Sequence, residues 1–362
     1  MIKVEYDDIM AFHPGYYIKE IIEEMELTQE EFAVRLGTSP KNLSELLAGK
    51  IKLSTDLASK LSIMLGTSID VWLNLEKTFE SKIAEIEKKK KLDREIEVLK
   101  EIDYNYFKEI GLNDTKSSEE RVANLCCFLN VASLTTLLKK DFLVNYRSGT
   151  SKITQKNIIN SRAWLQTAIN IGKTLKTDTF DKSKLEQYIP EIRRMTLSLP
   201  EQFIPELKSI FSGCGVAFVM LPNLKNCGIN GAVKWLNNRV ILAMNDRRLY
   251  ADTFWFSLFH EIKHILQHKT KELIVSLDKK ELETFDSKLE QEADEFAQNT
   301  LIPADKYHDF LECYQFSEIS IKNFADSIGI HPGIVVGRLQ TDGLVPFNQF
   351  HNLKQKYKII IT

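Results

Sequence analysis

Apolar residues recur at helical spacing early in the chain. In "LTQEEFAVRLGTSPKNLSELLAGK", Phe32, Ala33 and Leu36 make one short stripe, and Leu43, Leu46 and Leu47 make a second, each as wide as one helix face. The polar residues between them act as punctuation. Thr28 caps a helix from Gln29 to Leu36 with Glu31 as its capping-box partner, and Gly37 allows a tight turn. Ser39 caps the next helix, Pro40 occupies its first position, and Gly49 closes it. The flanking "GYYIKEIIEEM" and "STDLASKLSIMLG" supply helices against which this pair packs.

From about Lys77 the pattern changes to "KIAEIEKKKKLDREIEVLKEIDYNYFKEIG", which predicts one long charged helix with pairs such as Glu85 and Lys89 at i,i+4. Its apolar seam, Leu92, Ile96, Leu99, Ile102 and Tyr106, suits packing on the next domain or on a second subunit. Residues 118–176 continue as helices, with "NYRSGTSKIT" as a turn-rich break. Strand character begins near Val216: "GVAFVMLP" predicts a buried strand, and "INGAVKWLNNRVILAMN" a hairpin around Asn237 and Asn238. A helix over "FWFSLFHEIKHILQH" follows.

Composition narrows the class. The 362 residues, 43% hydrophobic, can bury a sizeable core divided among two or three domains. A net charge of −2 excludes a generally basic chain that coats nucleic acid, so any DNA contact must come from a local patch. Acids outnumber bases across residues 1–80, which makes non-specific DNA attraction weak and salt-sensitive. Five cysteines, including the adjacent Cys126 and Cys127 and without a CxxC spacing, fit reduced packing residues rather than a disulfide framework or a cysteine zinc knuckle. No apolar run is long enough for a bilayer and the start has no leader pattern, so the expected location is the cytoplasm, with no membrane partner.

The helical head, with "HPGYYIKEIIEEMELTQEEFA" before the turn and "GTSIDVWLNLEKTFE" after, resembles the lambda-repressor-like helix-turn-helix fold of the XRE family and its HigA branch. The resemblance covers residues 10–80. It implies that the second helix of the motif enters the major groove, with Ser39, Lys41, Asn42 and Ser44 facing base edges and Gln29, Lys50 and Lys52 meeting phosphates. Operator DNA is then a partner, and half-site geometry implies a homodimer.

The chain has seven histidines, and His260, His264 and His268 fall in one apolar run. Residues four apart share a helix face, so His260 and His264 can grip one ion while Glu261, one step round, reaches a water on its open side. This HExxH pattern suits zinc, with manganese as the alternative: two neutral imidazoles and a carboxylate leave one position for water and bring its pKa to about 7. Glu261 would act as general base. The third ligand should be an inward acid on a later helix. In "ETFDSKLEQEADEFAQNTLIP" the apolar stripe runs Phe285, Leu289, Ala293, Phe296, Ala297 and Thr300 until Pro303 stops the helix. Glu290 and Asp294 lie on its edge. Glu290 is assigned as ligand, and Asp294 as acceptor of a hydrogen bond from the outer nitrogen of a ligating histidine. Glu292, the rival ligand, points roughly 200 degrees away from Glu290 around the helix.

HExxH followed by "ExxxD" resembles the glutamate-zincin metallopeptidases, and "FSLFHEIKHILQH" with "EQEADEFAQNTLIP" is similar to the ImmA/IrrE family. The resemblance implies a metal-dependent endopeptidase that relieves repression by cutting a helix-turn-helix repressor or an antitoxin. His268 is read as helix-end packing, and Lys263 stands where relatives commonly carry glycine. Residues 229–244 are the candidate edge for pairing with an extended peptide, and Tyr250, Tyr307 and His331 are available oxyanion donors. The tail "SIKNFADSIGIHPGIVVGRLQTDG" has a further helix, turn, helix cadence, read as packing against the peptidase.

The expected fold is mainly α with a small α+β part. It comprises a helical head at 10–80, a helical linker and middle region at 81–195, a zincin-like domain with a small antiparallel sheet at 196–305, and a helical tail at 306–362. Two functions are compatible with it. One is a DNA-binding regulator with a zinc endopeptidase domain. The other is a HigA-like antitoxin that represses its own operon and covers a toxin, its metal domain serving as sensor or scaffold.

Overall fold

Local capping explains the first helices of the computed structural model, which describes residues 2–139, 142–143, 154–245, 250–267, 273–277, 287–312 and 316–357. The chain divides into two units, Met1–Ile96 and Glu97–Thr362. In the first, α1 (Pro14–Glu24), α2 (Gln29–Leu36), α3 (Pro40–Leu47) and α4 (Thr55–Leu65) precede the long α5 (Ile69–Glu101). At the start of α2, Thr28 N donates to Glu31 Oε2 at 2.9 Å and Glu31 N donates to Thr28 Oγ1 at 3.2 Å. Two orphan donors at the helix start are thus satisfied reciprocally. Gly37 takes a left-handed φ of 65°, and Ser39 Oγ accepts from Asn42 N at 3.1 Å to start α3. Phe32, Ala33, Leu36, Leu43, Leu46 and Leu47 then close one core with Ile18, Leu57, Leu61 and Trp72.

The sequence patterns do not anticipate what comes before α1. Strands β1 (Lys3–Tyr6) and β2 (Ile9–Phe12) form an antiparallel hairpin, Lys3 opposite Phe12 and Tyr6 opposite Ile9. Ile9 and Ala11 bury against Ile86 of α5, and Tyr6 donates its hydroxyl to Asp93 Oδ2 at 2.7 Å. His13 caps α1: its Nδ1 accepts from Gly15 N at 3.0 Å. The imidazole is buried beside Phe79. Glu76, 3.9 Å from its Nε2, accepts from Leu53 N at 3.0 Å.

The long charged helix does not run on through Tyr106 as one element. It stops at Glu101 because Asp103 Oδ1 accepts from Asn105 N at 3.1 Å and so caps a new helix, α6 (Tyr104–Glu109). The second unit continues with α7 (Ser118–Leu129), α8 (Gln155–Thr174), α9 (Lys182–Arg194) and α10 (Pro200–Gly213). The strands β3 (Val216–Leu221), β4 (Ile229–Leu236) and β5 (Arg239–Asn245) follow, then α11 (Ala251–Leu266), β6 (Leu273–Leu277), α12 (Ser287–Leu301), α13 (Ala304–Leu311), α14 (Glu318–Ile328) and α15 (Pro332–Thr341).

The sheet order is β3-β5-β4-β6. It is mixed rather than wholly antiparallel, since β3 runs parallel to β5 while β4 pairs antiparallel with both β5 and β6. Helix α8 covers one face, where Gly172 lies against Ile241. Helices α10 and α11 cover the other, and Phe218, Val233, Trp235, Val240 and Leu242 share a core with Trp255, Leu258, Phe259 and Ile262. The tail packs where the cadence implied: Val335, Val336 and Leu339 of α15 are in that same core, and α15 lies on α11. No described helix is long and apolar enough to cross a membrane. His268, Phe285 and residues 145–153 lie outside the described residues.

Candidate metal centre

Helix α11 is apolar on nearly every side, with Phe254, Trp255, Leu258, Phe259, Ile262 and Ile265 all buried. A helix of that composition belongs in the middle of a core. Its first amide, Ala251 N, donates to Gln355 O at 2.9 Å, and Asp252 in its first turn pairs with Lys354 Nζ at 2.8 Å, so the C-terminal segment fastens its start. Three polar residues in this helix are also buried: His260, Glu261 and His264. Polar groups in such a position are costly unless partnered.

Helix α12 supplies partners. His260 Nε2 lies 3.2 Å from Glu290 Oε2, and His264 Nε2 lies 3.3 Å from Glu290 Oε1. The two imidazole Nε2 atoms approach to 3.0 Å with their rings at 80°. One donor atom from each of His260, His264 and Glu290 falls within 4.8 Å of the other two. Behind the donors, His260 Nδ1 meets Asp294 Oδ1 at 3.0 Å, and His264 Nδ1 meets Gln267 Oε1 at 3.1 Å. Glu292 is turned to Gln267, whose Nε2 donates to its Oε2 at 3.3 Å.

The electrostatics ask for a positive charge at this point. Burial opposes a charge on His260, but hydrogen bonds to Asp294 and Glu290 outweigh it and push the imidazolium up to about 10. Burial likewise opposes ionisation of Glu290, yet its bonds to His260 and His264 hold the carboxyl down at about 2. Two imidazole nitrogens 3.0 Å apart can face each other only around a shared cation or proton. Two imidazoles and a carboxylate, each histidine held at its far nitrogen, fit a zinc-type divalent ion.

Two further features of the centre escaped the sequence reading. Gly231 of β4 faces Glu261: a Cβ there would collide with Oε1 and lie 2.8 Å from Cγ and Cδ. An isolated glycine in "INGAVKW" is a recognisable sign of close approach in a strand. Arg193 of α9 donates from Nε to Thr300 O at 2.7 Å and from Nη2 to Leu301 O at 2.9 Å and Ile328 O at 2.8 Å. It thereby ties down the ends of α12 and α14. No local pattern marks it, because its acceptors are more than a hundred residues away.

Other expectations are corrected. Residues 229–244 are not an edge: β4 is bonded on both sides, by β5 and β6, and β5 by β3 and β4. Among the described strands the edges are β3 and β6, because β6 pairs outside β4. Two of the three residues named as oxyanion donors hydrogen-bond within the tail. Tyr307 donates its hydroxyl to Asp342 Oδ2 at 2.9 Å, and His331 Nδ1 accepts from Gly333 N at 3.1 Å to cap α15. Tyr250 precedes the first turn of α11, ten residues or roughly 15 Å of helix from His260.

In the head, Gln29, Ser39, Lys41, Ser44, Lys50 and Lys52 are exposed and Asn42 is half-buried. Lys41 and Ser44 share one face of α3. Ser39 is occupied as the α3 cap, Asn42 Nδ2 donates to Thr38 Oγ1 at 2.9 Å, and Lys52 is paired with Glu80.

Comparison with known proteins agrees with this division. The helix-turn-helix family matches residues 18–72, from α1 into α5, and the IrrE N-terminal-like domain matches residues 230–336, from β4 to α15. The chain is 40% identical over 81 residues to the uncharacterized HTH-type transcriptional regulator YddM of Escherichia coli strain K12, covering 22% of this chain and 84% of that protein. The chain belongs to the helix-turn-helix transcriptional regulators. It is a DNA-binding regulator fused to an IrrE-like peptidase domain. It is also 28% identical over 83 residues to Virulence-associated protein I of Dichelobacter nodosus, covering 23% of this chain and 77% of that one. Among solved structures it is similar to an addiction module antidote protein of a HigA family from Coxiella burnetii, at 25% identity, with 23% of this chain and 91% of that chain covered and a TM-score of 0.21.

Proposed function

We propose that this regulator hydrolyses a peptide bond of a partner protein at the centre on α11 and α12, and that the partner is a helix-turn-helix repressor or antitoxin. The observation that carries the proposal is the convergence of His260, His264 and Glu290 within 4.8 Å beside a fully buried Glu261. His260 Nε2, His264 Nε2 and Glu290 would hold the ion. When bound, a zinc-class ion supplies Lewis acidity and brings the pKa of water to about 7.

The chain's own residues do the rest. Glu261 takes a proton from the attacking water and returns it to the leaving amine nitrogen. Asp294 holds the Nδ1 proton of His260, so that Nε2 keeps its lone pair for ligation. The apolar sides of α11 keep bulk water away from Glu261, which strengthens its charge interactions. In the head, Lys41, Ser44 and Asn42 are proposed to read base edges with Ser39, while Gln29, Lys50 and Lys52 meet phosphates. Support for this assignment is the exposed face of α3.

The decisive experiment compares newly formed protein N-termini in cells carrying the full chain or its E261Q variant. Cleavage products should appear with the former and vanish with the latter while both purified proteins retain equal zinc. Identical sets of termini would reject proteolysis and leave the centre as a sensor or scaffold. For DNA, K41A with N42A should erase operator footprints without changing metal content; an unchanged footprint would reject these readers.

A further inference from the structure

Gln267 closes α11 and lies at the ring edge of His264 away from the three donors. Its Nε2 is 3.2 Å from Leu289 O and 3.3 Å from Glu292 Oε2, and its Oε1 is 3.1 Å from His264 Nδ1. An amide nitrogen only donates and an amide oxygen only accepts, so two acceptors beside Nε2 leave one orientation, with the oxygen toward the imidazole. Nδ1 must then carry the proton, and the lone pair falls on Nε2, the atom that faces His260 and Glu290.

We infer that Gln267 is a positioning residue for the cation site: it selects the His264 tautomer and fixes the ring, and it couples that ring to α12 at Leu289, next to the Glu290 carboxylate. This rests on reading the centre as a cation site. The two histidines are thereby set by unlike groups. Asp294 presents a charged oxygen to His260, whereas His264 meets a neutral amide whose direction is dictated by α12. Any shift of α12 therefore moves Glu290 and releases the His264 ring together.

Zinc competition against a chromophoric chelator, with the full chain at one fixed pH, tests the assignment together with the visible spectrum of the cobalt form. Q267M removes the acceptor and should weaken zinc binding about 10- to 100-fold and alter the cobalt spectrum. Q267E keeps an acceptor for Nδ1 but cannot donate to Leu289 O or Glu292, so it should melt at a lower temperature yet hold zinc within a few-fold of wild type. A merely structural tie would lower both variants alike. Wild-type affinity in Q267M, or equal loss in Q267M and Q267E, overturns the inference; Q267A replaces Q267M if the latter does not fold. Failure of the wild-type chain to bind zinc or cobalt at all would instead reject the cation site, and the inference with it.

Discussion

The helix-turn-helix head and the candidate metal centre are built by opposite routes. In the head the starts of α2 and α3 are each closed by a residue within a few positions: Thr28 with Glu31 and Ser39 with Asn42, both three apart. In the centre the pairs that join α11 to α12 are distant, His260 with Asp294 being 34 positions apart. Glu261 adds a partner strand from earlier in the chain, at Gly231. Local construction makes lesions independent, whereas construction from converging elements makes each part useless without the others.

The largest effect expected from breaking this contrast is at the donors. His264→Ala should empty the purified chain of zinc, and adding Glu290→Ala should cost nothing more, as read by metal analysis. Retained stoichiometric zinc in the single variant would disprove the shared site. Next comes Phe32→Ala in the head, which removes a fully buried ring and should cost about 3–5 kcal/mol of that unit's stability; denaturant unfolding followed by head signals measures it, and zinc content should stay unchanged.

Gly231→Ala separates the two routes more finely. The added methyl must push Glu261 aside, at a cost of about 1–3 kcal/mol if the core resists. Proteolysis should fall sharply while zinc stays bound, because Glu261 is not a donor. Equal activity in this variant would place Glu261 outside the chemistry. The smallest effects are the caps. Thr28→Ala and Ser39→Ala should each cost about 1 kcal/mol, with the double variant near the sum.

The His13 cap adds a pH dependence to the head. Burial lowers its pKa below the ordinary 6.5, against the attraction of Glu76. A base whose folded pKa lies below its unfolded one binds more protons when unfolded, so its stabilisation is present above 6.5 and is lost as pH falls from there through the lower folded value. The imidazolium also has no lone pair to accept from Gly15 N. Melting of the full chain between pH 7 and 5 should show this decline, and His13→Asn, a cap that does not titrate, should flatten it; equal slopes would exclude the mechanism.

Legibility follows the same division. The caps of α2 and α3 and the turn at Gly37 are visible because helix termini are satisfied by neighbours in sequence. The common face of His260 and His264 follows from helical periodicity alone. The β1–β2 hairpin, the break at Asp103, the inner position of β4 and β5 and the tie from Arg193 to the ends of α12 and α14 were not visible. Each depends on a partner that arrives from far along the chain, or on a short polar signal inside a strong helical pattern.

By itself, then, the order of residues determined where α2 and α3 start and stop, which acids and histidines can share a face, and that a strand pair precedes α11. Only tertiary packing decided that β6 covers β4, that Glu261 lies against Gly231, and that Gln267 and Asp294 orient the two imidazoles. The physical reason is reach: capping bonds and helix periodicity act over a few residues, whereas a buried charge is stabilised by whichever distant groups the core brings within 3 to 4 Å.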